Sequence, residues 1–137
     1  MTNDPASLSA QALQNELAAI HQTALDYVES WYEGDEHRME HCLHPDLAKR
    51  TLQRDPIRPF DRLEPISALA LVIATRRGAG RHTPEEQQRK DITILDVFEN
   101  IASVKVVSTE MVDYLHLAKF DEKWLIVNAL WIRKPSI

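Results

Sequence analysis

The sequence predicts an α+β domain, with helices in its first half and an antiparallel sheet in its second. Two observations carry this reading. As far as about Arg77, apolar residues recur at three- and four-residue spacing, the period of one helix face. From Lys90 onward, β-branched and aromatic residues run in stretches separated by two or three polar residues. Breaks that short permit only antiparallel hairpins, because a parallel pair needs a long crossover. Helices followed by strands is an α+β order, unlike the alternation of an α/β chain.

The first helix opens near Asp4 and Pro5, with Pro5 in the tolerated first turn and Ser7 or Ser9 as other candidate caps. Leu13, Leu17, Ile20, Ala24, Tyr27, Val28 and Trp31 form one apolar stripe, and Gly34 suits its left-handed end. Asp35 caps a shorter second helix with Met39, Cys42, Leu43 and Leu47 on one side, limited in length by Pro45. Lys49 to Pro59, with mixed charges and two prolines, reads as a short strand or an extended loop. A third helix from about Pro65 or Ser67 to Arg77 buries Ile66, Leu69, Ala70, Leu71, Val72 and Ile73, and Gly78 and Gly80 terminate it. Four strands follow, Ile92 to Phe98, Ile101 to Ser108, Met111 to Lys119 and Trp124 to Ile132. No repeat or linker divides the chain, so residues 1–137 are expected to form one domain, with disorder expected only within residues 1–8.

Composition narrows the function classes. The chain has 137 residues and a formal net charge of -5, with scattered basic residues, so neither nucleic acid nor an anionic membrane surface is an expected partner. Cys42 is the single cysteine, which rules out an intrachain disulfide and a thiolate metal cluster and reads as a small core residue. The N-terminal stretch lacks the basic and apolar blocks of a signal peptide, and no apolar run approaches the ~20 residues of a membrane span, so a cytoplasmic location is expected.

The strand faces carry one more inference. In Met111 to Lys119 one face holds Val112, Tyr114, His116 and Ala118, and the other holds Leu115 and Leu117 between Asp113 and Lys119. In Trp124 to Ile132 one face holds Trp124, Ile126, Asn128, Leu130 and Ile132, and the other Leu125, Val127, Ala129 and Trp131. Neither strand has a consistently polar face, as a sheet with one side in water should. Helices cover one side; a second copy of the chain is the economical cover for the other, and a homodimer through the β-sheet is expected.

Several segments resemble one family. They are Ala24-Leu25-Asp26-Tyr27-Val28 through Gly34-Asp35, Leu43-His44-Pro45-Asp46, Asp91-Ile92-Thr93-Ile94-Leu95-Asp96-Val97, Ala102-Ser103-Val104-Lys105-Val106, Asp113-Tyr114-Leu115-His116-Leu117 and Lys123-Trp124-Leu125-Ile126-Val127-Asn128. Their order and spacing, from about Leu13 to Lys134, resemble the nuclear transport factor 2-like superfamily, within it the SnoaL-like and lumazine-binding proteins. The resemblance implies a cystatin-like cone: three N-terminal helices packed on a strongly curved antiparallel meander, with a cavity between them. Members include isomerases, dehydratases, polyketide cyclases and transport factors, so the fold does not stand in for a function.

The expected function is a small-molecule-binding protein with an apolar, cone-shaped cavity taking a small apolar or aromatic ligand, and no cofactor is expected. Candidate lining residues are Tyr27 and Trp31 from the first helix, His44 at the end of the second, and Tyr114, His116 and Trp131 from strands. Tyr114 with His116, or alternatively Trp131, faces inward, depending on register. A cofactor-free lyase or isomerase acting on a carbonyl compound is the alternative, with His116, Tyr114 and Asp96 as candidate acid and base groups. A second alternative is a protein-interaction module whose cavity is vestigial. His37, His41 and His44 are spaced to share one side of the second helix, but their charged neighbours fit a wet surface, and no metal site is assigned to them. Arg76, Arg77, Arg81 and His82 around Gly78 and Gly80 read as a surface loop near the cavity mouth.

Overall fold

The computed structural model of the chain describes residues 5–59 and 61–135, with side chains from residue 9 onward. Helix α1 spans Pro5–Glu33, so the part of the disorder expectation that falls on residues 1–4, and the candidate cap Asp4, lie outside the described residues. The apolar stripe of α1 is buried only from Ile20 onward, and Leu13 is 52% exposed. A helix of 29 residues is about 43 Å long, and residues 9–19 of it are exposed or half-buried. Gly34, at φ +72°, closes α1 by donating its N–H to Ser30 O at 2.8 Å.

Helix α2 spans Glu36–Cys42, and Asp35 caps it by accepting from the Arg38 N–H at 3.1 Å. The expected continuation of this helix through Leu47 is corrected. The backbone is already extended at Leu43, and strand β1 runs Leu43–Arg54. His44 precedes Pro45 and is therefore biased to extended backbone, and Pro45 has no N–H for a helix. Leu47, Lys49 and Thr51 then alternate as buried residues of β1, a strand far longer than the short segment expected. Strand β2 (Asp61–Ile66) pairs antiparallel with β1.

Helix α3 spans Ala68–Arg76, with Ser67 as its cap accepting from the Ala70 N–H at 3.1 Å. It buries Ala68, Leu71, Val72 and Thr75, whereas Leu69 and Ala70 are exposed. An unbroken apolar run overstates what a helix buries, because only three or four residues in two turns face the core.

Strands β3 (Lys90–Phe98), β4 (Ile101–Ser108), β5 (Met111–Phe120) and β6 (Lys123–Arg133) form the expected meander. The full sheet has six strands in the order β2-β1-β6-β5-β4-β3, and β1 runs parallel to β6, so it is mixed rather than wholly antiparallel. The parallel pair joins strands far apart in sequence, where a long crossover is available.

Two irregularities bend this sheet. Leu95 is an extra residue opposite Val104 and Ser103, and Val127 is an extra residue opposite Leu117 and His116. The second reverses the side-chain parity of β6 midway. Trp124 and Ile126 before it, and Ala129 and Trp131 after it, all turn toward the helices. The strict alternation assumed from sequence had divided these four between opposite faces. The side chains of Trp124, Ile126 and Ala129 join Val104, Val106, Leu115 and Leu117 in a core against Ile20, Ala24 and Val28.

Polar clamps tie the helices to the sheet. Glu16 of α1 accepts from the Trp124 indole N–H at 2.6 Å and from Lys119. Arg38 of α2 donates to Asp26 at 2.9 Å and Glu29 at 2.6 Å on α1, and Glu29 also accepts from Lys90 of β3.

Gly80 sits where a Cβ would lie 2.5 Å from the backbone oxygen of Trp31 and equally close to its ring. Gly80→Ala should therefore cost about 1–3 kcal/mol in urea denaturation, since one contacting atom is backbone and has no rotamer to escape to. An unchanged midpoint would contradict this packing.

Candidate functional site

Between the inner face of the sheet and the helices lies a cavity of about 200 Å³. Its apolar wall comes from Val28 and Trp31 of α1, Met39 of α2, Leu71 of α3, Val106 of β4 and Trp131 of β6. Set into this wall are Tyr27, Lys49 and Asp113, each more than nine-tenths buried.

Strand pairing explains how they meet. Asp113 of β5 lies opposite Trp131 of β6, and Trp131 lies opposite Thr51 of β1, two residues from Lys49 on the same face. Tyr27 reaches down from α1 and donates its hydroxyl to Asp113 Oδ1 at 2.8 Å. Lys49 Nζ donates to the same Tyr27 hydroxyl and stands 3.7 Å from Asp113 Oδ1. The ammonium also lies 4.8 Å from the centroid of the Tyr27 ring and 5.5 Å from that of Trp131, within cation–π range.

Burial pushes the Lys49 ammonium below the ordinary lysine value, against the opposing pull of Asp113. Burial, reinforced by the Asp113 charge, pushes the Tyr27 phenol well above the usual tyrosine value. Nearby Cys42 donates its thiol to Met39 O at 3.2 Å, and burial raises it to about 12, which removes it as a nucleophile at neutral pH. The indole Nε1–H of Trp131 is buried and has no hydrogen-bonding partner among the described residues.

At the rim, Glu110 accepts from Arg133 at 2.6 Å and pairs with His82 Nε2 at 2.6 Å. The hydrogen bond to Glu110 raises the His82 imidazole above its ordinary value, and His82 with Arg133 lowers the Glu110 carboxyl.

Of the residues singled out from sequence, Tyr27, Trp31 and Trp131 line this cavity. Tyr114 and His116 do not. They point to the opposite face of the sheet, Tyr114 being 49% exposed with Lys105 Nζ 5.7 Å from its ring centroid. His116 is exposed, with Nδ1 3.2 Å from the Asn128 side-chain amide. Asp96 shares with His116 a shallow outer groove along the two bulges, and its carboxylate accepts from the Val97 N–H. His44 lies outside the cavity as well, 4.8 Å from the Phe120 ring, with Nδ1 accepting from the Asp46 N–H. Because His44 belongs to β1, the three histidines do not share a helix face. Among the described residues no three His, Cys, Asp or Glu side chains are placed to hold a metal ion.

Lys49 and Asp113 were missed as site residues. Asp113 carried a signal, since it shares the parity of Leu115 and Leu117, and an acid at an inward position needs a partner. Lys49 shares the parity of Leu47 and Thr51, a pattern visible only once the segment is read as a strand.

Residues 15–132 match the family described as "Putative lumazine-binding". The chain belongs to this family. Its fold is nuclear transport factor 2-like. A protein of unknown function from Shewanella baltica is 19% identical, with a TM-score of 0.72 over 89% of this chain and 96% of that one. One from Silicibacter pomeroyi is 16% identical, with a TM-score of 0.67 over 89% of this chain and 98% of that one. A third, from Novosphingobium aromaticivorans and described as having a cystatin-like fold, is 12% identical, with a TM-score of 0.66 over 100% and 94%. No curated protein matches this chain at a significant level. No helix among its described residues is long and apolar enough to cross a membrane.

Tyr27→Phe removes the hydroxyl shared by Lys49 and Asp113 and should cost about 1–3 kcal/mol at pH 7 in urea denaturation. Above pH ~10 the folded Tyr27 keeps a proton that the unfolded chain releases, so this group's contribution falls as pH rises. The stability gap between the wild type and the Phe variant should therefore be full below pH ~10 and narrow above it. A gap that stays constant to pH 11 would contradict the burial of the phenol.

At the rim, Glu110→Gln should lower the titration midpoint of His82, followed through its ring-proton resonances. The paired histidine contributes stability below its unfolded value of ~6.5, and this is lost as pH rises through its higher folded value. An unmoved midpoint would show that the contact is absent in solution.

Proposed function

We propose that this member of the family binds a small ring-sized molecule in the inner cavity and works as a dimer through the outer face of its sheet. The observation that carries the first part is the cavity itself, about 200 Å³ of mostly apolar space with a buried ammonium, phenol and carboxylate in its wall. An apolar cavity of about 150 Å³ is known to accept benzene, whereas drug-sized ligands occupy about 300 Å³ or more, so the site suits a single ring. Apolar pockets with a few converging polar groups are the usual form of ligand sites.

The acid–base reading built on His116, Tyr114 and Asp96 finds less support, because all three lie on the side of the sheet away from this cavity. The outer face instead favours self-association. Leu52 and Leu63 pair across β1 and β2, and Ile132, Val112 and Val107 pair in turn across β6, β5 and β4. Leu52, Leu63, Leu130 and Ile132 are each about half exposed, and a contiguous apolar band of this kind marks an interface. A cytoplasmic setting completes the proposal.

Single-ring aromatics titrated into the labelled protein should shift resonances of Leu71, Val106 and Met111, and Met111→Trp should block the shifts by filling the space. Failure of any ring compound to perturb these residues would dismiss the cavity as a site. Light scattering coupled to size exclusion should give twice the chain mass, and Leu130→Glu combined with Ile132→Glu should halve it. A monomeric wild type at high micromolar concentration would exclude the dimer.

A further inference from the structure

Lys49, Tyr27 and Asp113 are joined by two hydrogen bonds in series. Lys49 Nζ donates to the Tyr27 hydroxyl oxygen, and that hydroxyl donates to Asp113 Oδ1 at 2.8 Å. The ammonium and the carboxylate stand 3.7 Å apart, beyond ordinary hydrogen-bond reach, so the phenol is the bridge between them. A proton passing from Lys49 to Tyr27, while the Tyr27 proton passes to Asp113, turns the ion pair into an amine and a carboxylic acid. No heavy atom has to move far, and the net charge of the cavity wall stays the same. Apolar surroundings favour the uncharged pair, since desolvation penalises both ions. Burial acts in that direction on Lys49, and it keeps the Tyr27 phenol protonated, as a relay must be.

A neutral lysine amine in an apolar pocket is a nucleophile toward a carbonyl carbon, whereas an ordinary exposed lysine is a cation at pH 7. Lys49 lines the cavity and keeps 8% of its side-chain surface. Its Nζ lies 4.8 Å and 5.5 Å from the ring centroids of Tyr27 and Trp131, which belong to the same wall. The space of about 200 Å³ admits a single ring, and the aliphatic surface of Val28, Leu71 and Val106 suits an aromatic one. An aldehyde carries only hydrogen beside its carbonyl carbon, so a confined amine can approach it more freely than a ketone.

We propose that Lys49 forms an imine with a single-ring aromatic aldehyde held in the cavity, Tyr27 relaying the lysine proton to Asp113. The Nζ lone pair forms a bond to the carbonyl carbon, and the carbonyl π pair moves to oxygen. One proton shifts from nitrogen to that oxygen, which gives a carbinolamine. Its hydroxyl leaves as water, taking the proton that Asp113 had received, and the nitrogen lone pair closes the C=N bond. The products are a protonated imine, the Asp113 carboxylate and one water, so the wall again holds one positive and one negative charge. This rests on the ligand-binding reading of the same cavity and adds the chemical class of the ligand and the atom that holds it.

The probe is benzaldehyde, added to the full-length protein at neutral pH with sodium cyanoborohydride, which reduces an imine to a stable benzylamine that peptide mass mapping locates. Lys49 should be labelled about tenfold faster than any other of the six lysines. Ethylbenzene, which fills the same space without a carbonyl, should slow this labelling and leave that of the other lysines unchanged. Tyr27→Phe should slow labelling of Lys49 at least about threefold, while benzaldehyde without reductant still shifts the resonances of Leu71 and Val106. Those resonances moving while Lys49 stays unlabelled would overturn the proposal and leave the cavity a binding site. Labelling of Lys49 that ethylbenzene does not slow would place the reaction outside the cavity and overturn it as well. Undiminished labelling in the Phe variant would overturn the relay through Tyr27. Neither shifts nor labelling would sink the cavity reading itself, and the proposal with it. The wild-type labelling pattern stands as a test even if the Phe variant fails to fold.

Discussion

An ammonium and a carboxylate held inside an apolar cone constrain how every layer of this protein is placed. Lys49 projects from β1 and Asp113 from β5, and the two strands never pair, because β6 lies between them. The charges meet only if all three strands hold one register, since a slip of one residue would turn either side chain to the outer face. Tyr27 adds the helix layer, because its hydroxyl is the atom shared by both charged groups. A shift of α1 by one turn, about 5.4 Å, would leave the pair without its third member. Removing one partner of a buried pair is far more costly than its net contribution to stability. The triad therefore acts chiefly to specify one alignment of helix and sheet, and the aliphatic core around Val104, Leu115 and Ile126 supplies most of the burial.

Much of this architecture was legible in the residues. The helix starts at Asp35 and Ser67, the left-handed terminus at Gly34 and the three hairpins of the meander follow from capping chemistry and from polar breaks too short for another topology. What was not legible depended on contacts distant in sequence. Strand β1 carries Lys49, Arg50 and Arg54, with Pro45 near its start and Pro56 just past its end, and it becomes a strand because β2 and β6 flank it. Its lack of local signal hid Lys49, and with Lys49 the ion pair. The extra residue at Val127 hid the orientation of Trp131 relative to Trp124, because a bulge leaves no mark in a two-residue period. Tyr27 and Trp31 were easier to place, as helix residues following the stripe of Ile20 and Ala24.

The same bulges explain why the sheet is apolar on both sides. Bending toward the helices brings Ile126 and Ala129 inward on either side of Val127, and it leaves Leu130 and Ile132 on the outer face beside Tyr114 and Val112. On that side the aliphatic residues form rows across neighbouring strands, which solvation alone would not favour. The half-exposed Tyr114 and the exposed His116 sit within this band, where an aromatic and an imidazole side chain suit a contact surface at least as well as a catalytic one. A residue type that suggests chemistry in a pocket thus changes meaning with the face it occupies.

Whether the inner space could have closed during evolution of the core is itself a physical question. Filling it with methylenes would press carbon against the buried Lys49, Tyr27 and Asp113, at the cost of desolvating their polar atoms further. A packed core at Lys49 and Trp131 calls for aliphatic residues, as at the neighbouring inward positions Leu47 of β1 and Ala129 of β6. The cavity is therefore a consequence of placing a lysine and a tryptophan where the sheet points inward, and it stays open because its wall has a polarity that aliphatic side chains cannot match. An apolar void alone would be only imperfect packing. A void whose wall holds a buried lysine, tyrosine and aspartate in charge balance has the form of a site.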